Sequence, residues 1–267
     1  MSNSIVIESH AQIDRGLTYA EACFETFRVI DGNIFAWQQH WQRICVGLQT
    51  FGITCKPSWE KSILTSALNQ AKEISSDCLV RLTISGGDST WGLQKQAVPK
   101  CLIQVHAYEK NIEPYHIKSV EYPFALRSKP AKFTADYAET LRAIQIWRQQ
   151  YPEISPQQSF ICKDKKVISG LTSNIILYYD GKWLTPNGDG VLNGVLRQYF
   201  VDKGLIKKKI CPIQLLDHCE AAMLLNCGTF LRPIHSLNRR EISATHPAIE
   251  RLYHVLKAEK GVLLEHI

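Results

Sequence analysis

From Phe24 to Ile30 the residues alternate in the two-residue period of a half-buried strand, and Asp31-Gly32 predicts a tight turn into Asn33-Ile34-Phe35. Between Trp37 and Phe51 the period lengthens. Trp37, Trp41, Ile44, Cys45, Leu48 and Phe51 fall on one helical face, and Gly52 can close the helix. A second amphipathic helix is predicted from Ser58 to Ile74. β-Branched and aromatic residues predict strands over Cys78–Ser85, Cys101–Tyr108 and Ile117–Tyr122. The stretch from Tyr122-Pro123 to Lys129-Pro130 has two X-Pro breaks and no period, as a linker would.

Beyond that stretch the pattern predicts a helix over Asp136–Gln150 and a strand over Asn174–Tyr179 that turns at Asp180-Gly181 into Lys182-Trp183-Leu184. Asn193 is a candidate cap for a helix running to Lys203 and stopped by Gly204. Glu220–Asn226 reads as a buried strand and Pro247–Glu259 as a closing helix. Helices and strands therefore mix throughout, in an α/β (α+β) chain of two domains. The expected division is 1–122, a linker over 123–130, and a β-rich unit over 131–267.

A length of 267 residues suits two domains, and 45% hydrophobic with 21% charged residues is ordinary globular composition. The net charge of +6 raises the question of nucleic acid, but Lys and Arg are scattered except at Lys207-Lys208-Lys209, which reads as a solvated strand. No nucleic-acid partner is expected. Nine cysteines without a C-x-x-C pair fit neither a secreted disulfide scaffold nor a zinc module, and the histidines show no metal-ligand spacing. Met1–Glu8 lacks a signal-peptide pattern and no apolar run reaches the length of a membrane span. A soluble, cytoplasmic protein that acts on a small molecule without a metal or a membrane is the expectation.

Two features suggest chemistry. Asn193-Gly194-Val195-Leu196 opens a predicted helix directly after a loop containing Gly188 and Gly190, so free N–H groups and the positive end of the helix dipole can face an anion. Asn226-Cys227-Gly228-Thr229 is a small-residue turn after a buried strand, where backbone donors can form a second anion-binding concavity.

These features belong to an ordered set. Asp14-Arg15-Gly16, Cys23-Phe24-Glu25-Thr26, His40-Trp41-Gln42-Arg43, Ala131-Lys132-Phe133, Thr172-Ser173-Asn174 and Gly190 to Arg197 follow the order of segments in fold-type IV pyridoxal phosphate (PLP) enzymes. The chain resembles the class IV aminotransferase family, whose fold is of the D-amino acid aminotransferase-like type, and within it the aminodeoxychorismate lyases. The resemblance implies PLP as cofactor, Lys132 as its covalent anchor, and Arg43, Ser173, Asn174, Gly194, Val195, Leu196, Cys227 and Gly228 around it. It also implies a homodimer. Lys129 competes with Lys132, because Pro130 can shift the local alignment.

The departures are informative. Relatives carry a glutamate that keeps the cofactor's pyridine nitrogen protonated, whereas Ser169 stands here, and a neutral hydroxyl cannot favour a cation as a carboxylate does. Leu196 replaces a common threonine in the anion cup. Cys23 to Gly32 resembles the C-F-x-T-x-R-V-I-D-G run of the lyases, and strand alternation puts Phe24, Thr26 and Arg28 on one face as candidate substrate contacts. Against that, the lyases' S-R-G-x-G-G-R-G-Y becomes Ser85-Gly86-Gly87-Asp88-Ser89-Thr90-Trp91-Gly92-Leu93, so both arginines are missing and Arg127 is a candidate replacement. The family's Y-G-D-G is Tyr19-Ala20-Glu21-Ala22. The resemblance implies a lyase converting 4-amino-4-deoxychorismate to 4-aminobenzoate and pyruvate for folate synthesis. The alternatives are an aminotransferase of branched-chain or D-amino acids, and a catalytically weak PLP-fold protein.

Overall fold

A computed structural model describes residues 13–89, 91–93, 97–110, 115–152 and 159–262. The sequence around Met1–Glu8 and Thr90 lies outside these. Among the described residues, a four-stranded antiparallel sheet runs Asn33–Ile34, Ala22–Ile30, Asp77–Ser85, Lys100–Ala107 in spatial order. The hairpin turn forms as predicted: Asp31 and Gly32 both adopt positive φ, 47° and 71°, the conformation that the twist of a two-residue hairpin requires. Asp180 and Gly181 repeat it at 50° and 69°.

The helices Trp37–Thr50 and Pro57–Ile74 cover one face of this sheet. Strand alternation sends Cys23, Glu25, Phe27 and Val29 towards the helices and Phe24, Thr26 and Arg28 to the opposite face. Register carries that second face across the sheet, because Thr26 pairs with Arg81 and Arg81 with Gln104, while Leu79 pairs with His106.

Among the described residues, the second sheet has ten strands. Its main path runs Ile206–Lys209, Lys182–Pro186, Asn174–Tyr179, Ala221–Asn226, Phe230–Leu237, Tyr115–Glu121, Ser159–Lys163, Lys166–Gly170 and Cys211–Pro212. Most neighbours are antiparallel, but Tyr115–Glu121 lies parallel to both of its neighbours. Hydrogen bonding thus places that strand in the large sheet, on the C-terminal side of the division expected at Tyr122. Its pairing with a strand more than a hundred residues later is not readable from local pattern.

The two sheets share apolar contacts. One cluster joins Phe27, Trp41, Ile44 and Leu48 of the first unit to Val195, Phe200, Leu225, Phe230 and Leu252 of the second. A continuous apolar interface of this kind resists relative motion of its two sides. No helix among the described residues is long and apolar enough to cross a membrane.

Candidate active site

Between the free face of the first sheet and strand ends of the second lies a cavity of about 550 Å³. Lys132 lines it because its backbone is fixed. Phe24 N–H donates to the Lys132 carbonyl at 3.0 Å, Thr134 N–H donates to the Ala22 carbonyl at 3.1 Å, and Cys23 and Phe133 form an antiparallel bridge. The segment therefore acts as a short extra strand on the open end of Ala22–Ile30. Gly47 permits this approach: a Cβ there would stand 2.7 Å from both the Ala131 Cβ and the Cys23 Sγ.

The Lys132 ammonium sits 5.4 Å from the centre of the Phe24 ring. Burial pushes its pKa down, with Arg43 and Arg81 acting the same way against the opposing pull of Glu25 and Cys227. A lysine so placed holds a larger share of free amine at neutral pH, which an attacking or proton-carrying group needs. Lys129 also lines the cavity.

The helix after the expected anion cup spans Val195–Asp202, and its cap is Gly194, not Asn193. Gly194 offers no side chain to the first-turn N–H groups. Asn193 is used otherwise: its carbonyl accepts from Arg43 Nη1 at 3.0 Å and its Oδ1 from Arg197 at 3.3 Å. Gly194 is required by a close approach, since a Cβ would fall 1.9 Å from Asn174 Oδ1. Asn174 in turn donates to the Leu192 carbonyl at 2.9 Å and so holds the loop that leads into the cup. Gly194, Val195 and Leu196 all line the cavity, as do Ser169, Ser173 and Asn174. An uncapped helix start facing a cavity that also holds a cation fits a phosphate dianion.

Arg43 lines the same cavity but is heavily committed. Its Nε and Nη2 donate to the two oxygens of Glu25 at 2.7 and 2.6 Å, and Nη1 to Asn193. It presents a positioned cation and few spare donors. Glu25, fully buried, also meets His40 Nδ1 at 2.7 Å. Burial disfavours its charge, but Arg43 and then His40 outweigh that and hold the carboxyl well below the usual carboxylate range.

Three sequence expectations need correction. Arg28 does not line the cavity: it is buried, paired with Asp77, and stacked 3.7 Å from the centre of the Tyr108 ring. It has the expected strand face, but the carboxylate at the start of the neighbouring strand captures it. Arg127 is largely exposed and pairs with Glu139 at 3.2 Å, away from the cavity. The turn after Asn226 is not a free donor nest, because Asn226 Oδ1 already accepts from the N–H groups of Gly228 and Thr229 at 2.8 and 2.7 Å. Cys227 and Gly228 nevertheless line the cavity.

Sequence reasoning missed Arg81, Tyr137, Gln104 and His106, which all line the cavity. Arg81 lies 3.8 Å from the centre of the Phe24 ring and 5.4 Å from that of Tyr137, and the two rings stack at 5.3 Å. The signal was present as the alternation Leu79-Arg81-Thr83, but only the register with Thr26 shows which way it faces. Among the described residues, Asp136 is the sole carboxylate that lines the cavity. No three His, Cys, Asp or Glu side chains converge as metal ligands among the described residues.

The sequence matches a known family along most of the chain: residues 22–237 fit the model for amino-transferase class IV. The chain belongs to the class IV aminotransferase family. No curated protein sequence matches it. Solved structures of similar fold include a presumptive 4-amino-4-deoxychorismate lyase from Legionella pneumophila, with TM-score 0.75 and 22% identity over 96% of each chain. A hypothetical aminotransferase from Mycobacterium tuberculosis in its PLP-bound form has TM-score 0.75 and 17% identity, over 97% of this chain and 94% of that one. The branched-chain amino acid aminotransferase of Escherichia coli has TM-score 0.74 and 15% identity, over 92% and 87%. At these identities the likeness is one of fold. Class IV aminotransferases are PLP-dependent enzymes, and PLP is this chain's cofactor.

Proposed function

We propose that this enzyme is a PLP-dependent lyase of the aminodeoxychorismate type, releasing pyruvate from 4-amino-4-deoxychorismate to leave 4-aminobenzoate. The observation that carries the reading is a neutral hydroxyl, Ser169, in a cavity whose other polar groups are mostly cationic or uncharged. The cofactor supplies an aldehyde for attaching the substrate amine and a ring that can accept electrons. With a serine as the candidate partner of that ring, the protein favours weakly the charged ring form on which transamination depends. Elimination driven by aromatisation of the product demands less of it.

The side chains suit that work. The first turn from Gly194 to Leu196, with Arg43 behind it, is the proposed holder of the cofactor phosphate. Lys132 would carry the proton between ring carbon and leaving group, and its lowered pKa favours the free amine that such a transfer needs. Arg81, lying between Phe24 and Tyr137, is the proposed anchor for a substrate carboxylate, the role that the absent arginines of the lyase motif leave open. The stacked rings form an apolar wall for a six-membered carbocycle. A homodimer is carried over from the resemblance as part of this proposal, and light scattering on the purified chain tests it.

The deciding assay supplies 4-amino-4-deoxychorismate and measures 4-aminobenzoate and pyruvate, with amino-donor and keto-acid pairs run in parallel. Equal amounts of the two products, with slow or absent amino transfer, are expected. Efficient amino transfer without 4-aminobenzoate overturns the reading in favour of an aminotransferase.

A further inference from the structure

Arg197 stands behind the proposed phosphate seat, and the lyase reading gives it no task. It is 2% exposed and belongs to the first turn of the Val195–Asp202 helix, just after the Gly194 cap. Every nitrogen of its guanidinium donates, but only to neutral oxygens. Nε reaches Thr185 Oγ1 at 3.0 Å, Nη1 reaches Asn193 Oδ1 at 3.3 Å, and Nη2 reaches the Pro186 carbonyl at 2.5 Å. Among the described residues no carboxylate pairs with it. Three other buried arginines each meet one: Arg15 pairs with Glu21, Arg28 with Asp77 and Arg43 with Glu25.

Such a placement is unfavourable in two ways. A buried charge needs a counter-charge, and burial pushes the pKa of Arg197 down with Cys211 pulling the other way. A cation in the first turn also faces the positive end of the helix dipole, where an acidic residue would be favourable and none is present. Lys208, bonded to the neighbouring Gln198 at 2.7 Å, adds charge of the same sign. An anion of two charges at the helix start reverses both effects.

Asn193 connects the cation to that place. Its Oδ1 accepts from Arg197 while its carbonyl accepts from Arg43 at 3.0 Å, so the residue before the cap is pinned from two sides. A Cβ on Gly194 would lie 3.6 Å from the Cβ of Arg197, yet Arg197 does not line the cavity. We propose that Arg197 is a positioning residue and the standing counter-charge for the cofactor phosphate, acting through Asn193 and the first helical turn without touching the ligand. Arg43 has its charge met by Glu25, so Arg197 supplies the positive charge that the seat holds in excess. The inference rests on the proposed seat at Gly194–Leu196 and holds for lyase and aminotransferase alike.

The test measures dissociation constants of PLP and of pyridoxal, which lacks the phosphate, on the full-length chain stripped of cofactor, by quenching of tryptophan fluorescence. Wild type is expected to prefer PLP. Arg197→Met is expected to weaken PLP at least about tenfold with little change for pyridoxal, because a cation–dianion attraction is lost at a partly dry site. Arg197→Lys, which keeps the charge but not the planar fork, is expected to recover most of the preference. A purely structural side chain would weaken both ligands alike and would not be rescued by lysine. A wild type that binds pyridoxal as tightly as PLP removes the phosphate seat itself, and the inference with it. A wild-type preference that survives in Arg197→Met, or is lost equally in Arg197→Met and Arg197→Lys, overturns the role of Arg197 and leaves the seat standing. Asn193→Asp decides the matter should Arg197→Met fail to fold. It gives Arg197 a carboxylate at almost constant volume, and is expected to raise the melting temperature of the PLP-free chain by roughly 2 °C or more while weakening PLP. A melting temperature that stays level or falls overturns the counter-charge.

Discussion

Replacing Glu25 by glutamine changes almost no volume and removes one charge. In the native chain its two oxygens accept from Arg43 Nε at 2.7 Å and Nη2 at 2.6 Å, and one also meets His40 Nδ1 at 2.7 Å. Glutamine offers one acceptor oxygen and turns an N–H₂ group towards donors, so Arg43 is left as a buried cation without its counter-charge. Breaking a buried pair by removing one partner costs about 3–5 kcal/mol. For a chain of this size each kcal/mol moves the melting temperature by roughly 2–4 °C, so a fall of about 6–20 °C is expected by differential scanning calorimetry at pH 7. The pH dependence has a fixed sign. Because the Glu25 carboxyl is held below its ordinary value of 4.5, its contribution is present in full above that value and is lost as pH falls through the folded value. The gap between wild type and Glu25→Gln must therefore narrow in strong acid. A difference under 2 °C at pH 7, or a gap equally wide at pH 7 and pH 3, refutes the assignment of Glu25 as the counter-charge of this buried cluster.

Lys132→Ala should abolish the visible absorbance that PLP gains on binding, together with its bleaching by borohydride; a retained, reducible band would move the anchor to another lysine, Lys129 first. Arg81→Gln should raise KM for the carboxylate substrate by about ten- to a hundredfold, in line with roughly 1.5–3 kcal/mol for a charged hydrogen bond, with a smaller change in kcat. Arg28→Met, by contrast, should lower the melting temperature and leave KM within about twofold, since its cation is spent on Asp77; steady-state kinetics on both variants separates the two arginines. Ser169→Glu should increase amino transfer from a keto-acid and amino-donor pair, and an unchanged rate would remove the electronic argument for lyase chemistry.

Much of the fold was legible because it rests on local pattern. The helices over Asp136–Gln150 and Trp37–Thr50 and the strand Asn174–Tyr179 lie within one residue of their predicted ends, and both Asp-Gly turns form. What failed depends on contacts distant in sequence. Arg28 and Arg81 sit at equivalent alternating positions, yet one is captured by Asp77 and the other lines the cavity, a choice made by neighbouring strands. Asn193 has the chemistry of a helix cap, but Arg43 and Arg197 claim its oxygens and leave Gly194 at the cap. The strands Ser159–Lys163 and Phe230–Leu237 were not singled out, because buried strands in a mixed sheet lack clean alternation.

The bond from Arg43 to the Asn193 carbonyl spans 150 positions in the chain. On the proposed site, a nascent polypeptide that ends before Val195 has Lys132 and Arg43 but not the helix start proposed to seat the phosphate, and one that stops before Cys227 lacks part of the cavity wall. If that site holds the cofactor, it is assembled only once most of the chain has been made, and saturation would then report on finished molecules.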